Sequence, residues 1–215
     1  VGILGFLLAG CSTTWSSAKE TDPEVQEISV SLPAELTTLD TTQTTDKVTF
    51  TVIQHLFEGS YRFDEKSQPV PGLAEEAVIS EDGKTYTFKL KEEAKWSDGQ
   101  QVQAADFAYA WKKLVDPKTM GPNAYLLDNV VNSQDIREGK ADIATIGLET
   151  PDEKTFVVHL EQLQPSFLSV VSIGWLAPQR QSYVEEKGTA YGKTSEDLLY
   201  TGPFILKDWQ QTGAE

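Results

Sequence analysis

The residues predict a mixed chain of helices and strands, of α/β or α+β type. Three observations carry that expectation. Apolar and polar residues alternate at Tyr86, Phe88, Leu90 and again at Phe156, Val158, Leu160. Helical spacing appears at Val48, Val52, Ile53, Leu56, Phe57 and at Phe107, Ala110, Trp111, Leu114. Tight-turn pairs such as Asp82-Gly83 mark hairpins between some of the strands. The 215 residues suffice for one ordinary domain or two small ones, with 39% hydrophobic and 24% charged residues. Against 18 Lys+Arg stand 33 Asp+Glu, a net charge of −15 that favours solubility and repels phosphate backbones, so nucleic acid is excluded as a partner.

The first ten residues, VGILGFLLAG, are an uncharged apolar run. A bilayer span needs about 20 such residues, so this run fits the apolar region of a secretory signal instead. No initiator Met or basic leader precedes it, and the chain is expected to begin inside that signal. Leu8-Ala9-Gly10-Cys11 resembles the lipobox of bacterial lipoproteins, which implies cleavage before Cys11 and diacylation of its thiol. Two acyl chains anchor stably where one is marginal. Cys11 is the only cysteine, so no internal disulfide can form. Residues 11–26 then read as the lipidated cysteine and a polar tether.

From Glu27 the pattern becomes globular. Ile28, Val30 and Leu32 alternate with polar residues, predicting a half-buried strand that ends at Pro33. A polar loop, Thr41 to Asp46, precedes the first helix, for which Gly59 is the expected C-cap. Asp82-Gly83 and Trp96-Ser97-Asp98-Gly99 are turns flanking the Tyr86–Leu90 strand region. The Phe107–Leu114 helix must stop at Asp116-Pro117, because proline cannot continue it. Further helices are expected over Ala124–Glu138, Pro165–Val171 and Gln179–Lys187, and a last strand over Pro203–Trp209. The final residues carry no stop signature, and the chain reads as cut there.

The order Leu39-Asp40, Asp46, Leu56-Phe57-Glu58-Gly59, Pro71-Gly72-Leu73-Ala74-Glu75 resembles the family 5 extracellular solute-binding proteins, the oligopeptide-binding proteins of ABC importers. The block from Ser80, SEDGKTYTFKLKEEAKWSDGQQVQAADFAYAWKKLVDPKT, is its most specific part, and Gly202-Pro203-Phe204 with Leu206-Lys207-Asp208-Trp209 extends it. The resemblance implies a periplasmic-binding-protein type II-like bilobed fold. Residues 27–57 plus 181–215 would form a discontinuous first lobe and residues 58–180 an intervening small domain, the second lobe being absent. It also implies an extracytoplasmic, lipid-anchored lipoprotein that delivers oligopeptides to ABC importer permease subunits, with no cofactor. A receptor for peptide pheromones or signals on the same fold is the nearest alternative. Relatives that take nickel, haem or sugars, and a surface adhesin, are further ones.

Within that frame, Trp96 and Trp111 read as core anchors and Asp98-Gly99 as a turn. The loop Thr44-Thr45-Asp46-Lys47 is the ligand candidate, since the matching family segment exchanges backbone hydrogen bonds with peptide as an added strand would. The same loop also reads as a solvated surface connection. Many family members place an aromatic directly after the proline that corresponds to Pro122. Here Asn123 follows, with Tyr125 two positions on. Asn123 is placed to bond a peptide amide, or Tyr125 to supply the stacking face. No enzyme motif is found: Gly188–Thr194 falls one residue short of a phosphate loop, and His55 and His159 stand far apart without a Cys/His cluster.

Overall fold

The structure, a computed structural model, describes residues 27–209. Cys11, the apolar run before it and the tether lie outside the described residues. By chain contacts, the described residues 27–31 and 32–209 fall in separate units, and the fold below is that of the second.

Helix α1 (Lys47–Leu56) opens on Asp46, whose carboxylate accepts the Thr49 N–H at 2.7 Å. It buries Thr49, Ile53 and Leu56. The chain then turns through a small hairpin, β1 (Tyr61–Phe63) with β2 (Pro69–Pro71), in which Tyr61 pairs with Pro71 and Phe63 with Pro69. A second sheet has four antiparallel strands in the order β3-β4-β6-β5. They are β3 (Val78–Ile79), β4 (Thr85–Lys89), β5 (Leu148–Glu149) and β6 (Thr155–His159). Helix α2 (Ala104–Val115) lies on this sheet, with Phe107 and Trp111 each against Phe156 at 5.6 and 5.0 Å between ring centroids. Short helices α3 (Ser133–Arg137), α4 (Phe167–Val171) and α5 (Gln181–Lys187) complete the chain.

Two hydrophobic clusters form. One runs from Tyr61 to Leu176, with Leu199, around β4, β6 and α2; it includes Trp96, whose indole N–H reaches Asp106 at 3.1 Å, and Trp111, bonded to the Leu176 carbonyl at 3.0 Å. The other gathers Leu36, Leu39, Ile53, Leu56 and Phe57 with Ala177, Val184, Tyr191, Leu198 and Tyr200, from two distant stretches of chain.

Several expectations need correction. Residues 28–32 form no strand, and Ile28 and Val30 are 64% and 72% exposed. A strand exists only where a partner takes its N–H and C=O groups, and alternation alone supplies none. Pro203–Trp209 is likewise irregular; Phe204 bonds the His55 carbonyl at the end of α1 instead. The helix expected over Ala124–Glu138 is broken into a 3-10 turn (Ala124–Leu127) and α3, with Asn132 between them at φ 63°. Val130 bridges to Leu160 and the Val131 N–H bonds the His159 carbonyl at 2.9 Å, so this stretch follows the sheet rather than coiling. Gly59 does not cap α1; Phe57 ends it in an extended conformation. Glycine at 59 serves close packing, since a Cβ there would lie 3.1 Å from the carbonyl oxygens of both Tyr61 and Val171.

Candidate functional site

The loop before α1 is built in two halves. Its first half is buried. The Asp40 carboxylate accepts the Thr42 N–H at 3.0 Å, the Thr42 hydroxyl at 2.7 Å and the Gln179 amide at 2.9 Å, all on Oδ1. Oδ2 faces the Lys113 ammonium at 2.8 Å. The Gln179 amide also donates to the Thr41 hydroxyl at 2.9 Å. Buried polar groups persist only when so paired. The turn at Gly192 closes this half: with φ +77°, it comes so near that a Cβ would meet the Asp40 nitrogen at 2.5 Å. Gly192 belongs to the Gly188–Thr194 stretch, whose glycine is thus required for packing against Asp40; Gly188 ends α5.

The second half carries Thr44, Thr45 and Asp46, while Lys47, expected in the loop, is already the first residue of α1. The Thr44 carbonyl accepts the Asn123 side-chain amide at 2.6 Å, and its hydroxyl donates to Asp46 Oδ2 at 3.2 Å. Burial raises the Asp46 carboxyl, but hydrogen bonds from Thr49 and Thr44 outweigh it and hold the group below its ordinary value of 3.8. Thr45, Asp46 and Lys47 are exposed. Among the described residues, neither the N–H nor the C=O of Thr45 has a hydrogen-bond partner. A pinned loop thus presents an open backbone edge at its outer turn, a geometry able to bond any extended chain through its main-chain groups.

Thr44 and Asn123 are therefore brought together. Asn123 is only 3% exposed and spends its amide on the loop, whereas Tyr125 is 55% exposed. Gln43 ties the same regions once more, donating to the Thr119 carbonyl at 3.2 Å. Asp40 enters the sequence reading only within the Leu39-Asp40 motif, and neither it nor Lys113 nor Gln179 is among the site candidates named there. A signal exists on α2: Asp106 and Lys113, seven residues apart, flank its apolar stripe on one side.

Elsewhere, two clefts of about 800 and 530 Å³ open beside Arg180 and beside Glu58, and neither is lined by Thr44–Lys47. Among the described residues no group of three His, Cys, Asp or Glu side chains is assembled to hold a metal, and no helix is long and apolar enough to cross a membrane. His159 instead contacts Glu149 at 2.8 Å, and His55 the Thr51 carbonyl at 2.7 Å.

The model of the bacterial extracellular solute-binding proteins, family 5 Middle, matches residues 68–214. The dipeptide-binding protein of Lactococcus lactis is 36% identical over 96% of this chain and 36% of its own length. The solved structure of Listeria monocytogenes OppA bound to peptide matches at 37% identity and TM-score 0.80, over 82% of this chain and 35% of that one. That of the pheromone receptor PrgZ, described with its mode of peptide binding, matches at 35% identity and TM-score 0.80, over 84% and 36%. This chain therefore spans about a third of the length of the relatives it matches.

Proposed function

Since this chain belongs to the bacterial extracellular solute-binding proteins of family 5, we propose that it is part of an extracytoplasmic receptor that captures oligopeptides for an ABC importer. The observation that carries this reading is the open backbone of Thr45 on a loop pinned from below by Asn123. Backbone groups are common to all peptides, so such an edge binds many sequences, with water adapting to their side chains. Asn123 then acts by holding Thr44, and Tyr125 offers the exposed aromatic face. In this reading residues 27–57 plus 181–215 belong to a first lobe and 58–180 to an intervening domain; most of one hydrophobic cluster falls in the former and most of the other in the latter, with Ala177 and Leu199 crossing the division. The opposite wall of the site would come from the length of protein that relatives have and this chain does not span.

In this reading the protein is a membrane-anchored lipoprotein, acylated at Cys11, that docks on permease subunits and carries out no catalysis. Reception of a peptide pheromone or signal is a second reading, favoured by the likeness to PrgZ.

The test titrates the full-length protein with several unrelated peptides. Thr45→Ala keeps both main-chain groups and should leave affinity nearly unchanged. Thr45→Pro removes the donor. A hydrogen bond left unmade in a closed site costs about 1–3 kcal/mol, so affinity should fall roughly ten- to a hundredfold, and alike for every peptide. Loss of binding in Thr45→Ala, or full affinity in a folded Thr45→Pro, refutes the backbone edge.

A further inference from the structure

Lys113 sits on α2, within the cluster built around the four-stranded sheet, yet its ammonium leaves that helix to meet the loop before α1. It lies 2.8 Å from Asp40 Oδ2, 3.0 Å from Gln179 Oε1 and 5.1 Å above the Tyr191 ring. Both partners are sequestered, Gln179 almost completely. The Lys113 side chain is part-buried, and lysine rarely gives up even part of its hydration unless its charge is matched. Here one negative charge, one amide oxygen and one aromatic face replace water.

The consequence reaches the loop through Asp40. Its other oxygen collects the Thr42 N–H, the Thr42 hydroxyl and the Gln179 amide, which in turn holds Thr41. The Asp40 carbonyl then takes the Gln43 N–H at 2.9 Å. Thr44 and Thr45 follow directly. We infer that Lys113 is a positioning residue for ligand capture: by neutralising Asp40 it lets the buried half of the loop keep the shape that presents the Thr45 backbone. A loop ordered before binding saves its ordering entropy at the moment of capture. The inference rests on the peptide reading above but concerns a residue that touches no ligand.

Lys113→Met keeps the aliphatic stem and strands the Asp40 carboxylate without its counter-charge. The double variant Asp40→Asn/Lys113→Met removes both charges while Asn retains an acceptor for Thr42 and Gln179. Two readouts are taken on the full-length protein, well below its unfolding temperature. Hydrogen exchange of the Thr42 and Gln43 amides, measured without peptide, reports the loop, and calorimetry with several unrelated peptides reports capture. In Lys113→Met, exchange should quicken and affinity fall, each about tenfold and equally for all peptides, because a broken, part-buried pair leaves a charge that the loop must open to hydrate. The double variant should recover both to within about threefold of wild type. Exchange or affinity left unchanged in Lys113→Met overturns the inference. So does a double variant that fails to recover, since the lysine charge itself would then be what the ligand needs. A wild type that takes up none of the peptides refutes the peptide reading instead, and is distinguishable because loop exchange is measured without peptide.

Discussion

Asp106 shows how one side chain can serve two donors from inside a core. Its Oδ2 accepts the Trp96 indole at 3.1 Å and the Gln103 N–H at 2.9 Å, joining the turn before α2 to the helix itself. Burial pushes this carboxyl above its ordinary value of 3.8, and those hydrogen bonds together with the Arg180 charge only partly offset the rise. The folded protein thus holds the Asp106 proton more tightly than the unfolded chain does. This residue's contribution to stability is therefore greatest below the unfolded value, falls as pH rises through the elevated folded value, and is level above it. Asp106→Asn keeps an acceptor for both donors without the charge, and should lie within about 1 kcal/mol of wild type at neutral pH with a weaker decline above pH 4. Asp106→Leu strands both N–H groups and should cost about 1–3 kcal/mol. Denaturant melts at a series of pH values check both. The sequence marks Trp96 as a core anchor by its bulk and apolarity. Nothing in it tells that the indole N–H must meet Asp106, because a helix charge is ordinarily solvated.

At the scale of the element, α1 depends on the residue that also ends the candidate loop. Asp46 caps it through Thr49, and the depressed carboxyl contributes stability above its unfolded value that is lost as pH falls through the folded one. The group is largely exposed, so solvent screens much of that charge contribution. The cap itself is geometric. Asp46→Ala should lower the unfolding free energy by about 1 kcal/mol, and Asp46→Asn, which still caps, by much less, as thermal melts would show. Val48, Val52, Ile53 and Leu56 make this helix readable, because an apolar face is a local pattern. The stretch 124–138 is not readable in the same way. Its residues favour a helix locally, but Val130 and Val131 find partners at Leu160 and His159, some thirty positions on. Tertiary hydrogen bonds outweigh a propensity worth only tenths of a kcal/mol per residue.

At the scale of the whole chain, the acidic balance bears on the anchor proposed at Cys11. With its net charge of −15 this chain gains nothing from anionic headgroups, so the proposed lipoprotein reading assigns membrane retention to acyl chains on Cys11. Cys11→Ser should therefore release the full-length protein from the membrane fraction and abolish incorporation of labelled palmitate. Retention together with unchanged labelling would remove the lipoprotein reading while leaving the peptide site untouched.

What the sequence determined by itself was local: the helices α1 and α2, the strands around Tyr86 and Phe156, the turns at Gly83 and Gly99, the tryptophan anchors and the polar loop 41–46 before α1. Each rests on periodicity or on a side chain acting within a few residues. Tertiary structure alone decided what holds that loop. Asp40 meets Lys113 across 73 positions and Gln179 across 139, and Thr44 meets Asn123 across 79. A single sequence has no period that encodes such distances. They are set by the packing of α2 and the Tyr191–Gly192 turn around Asp40, where buried polar groups must find partners or remain in water.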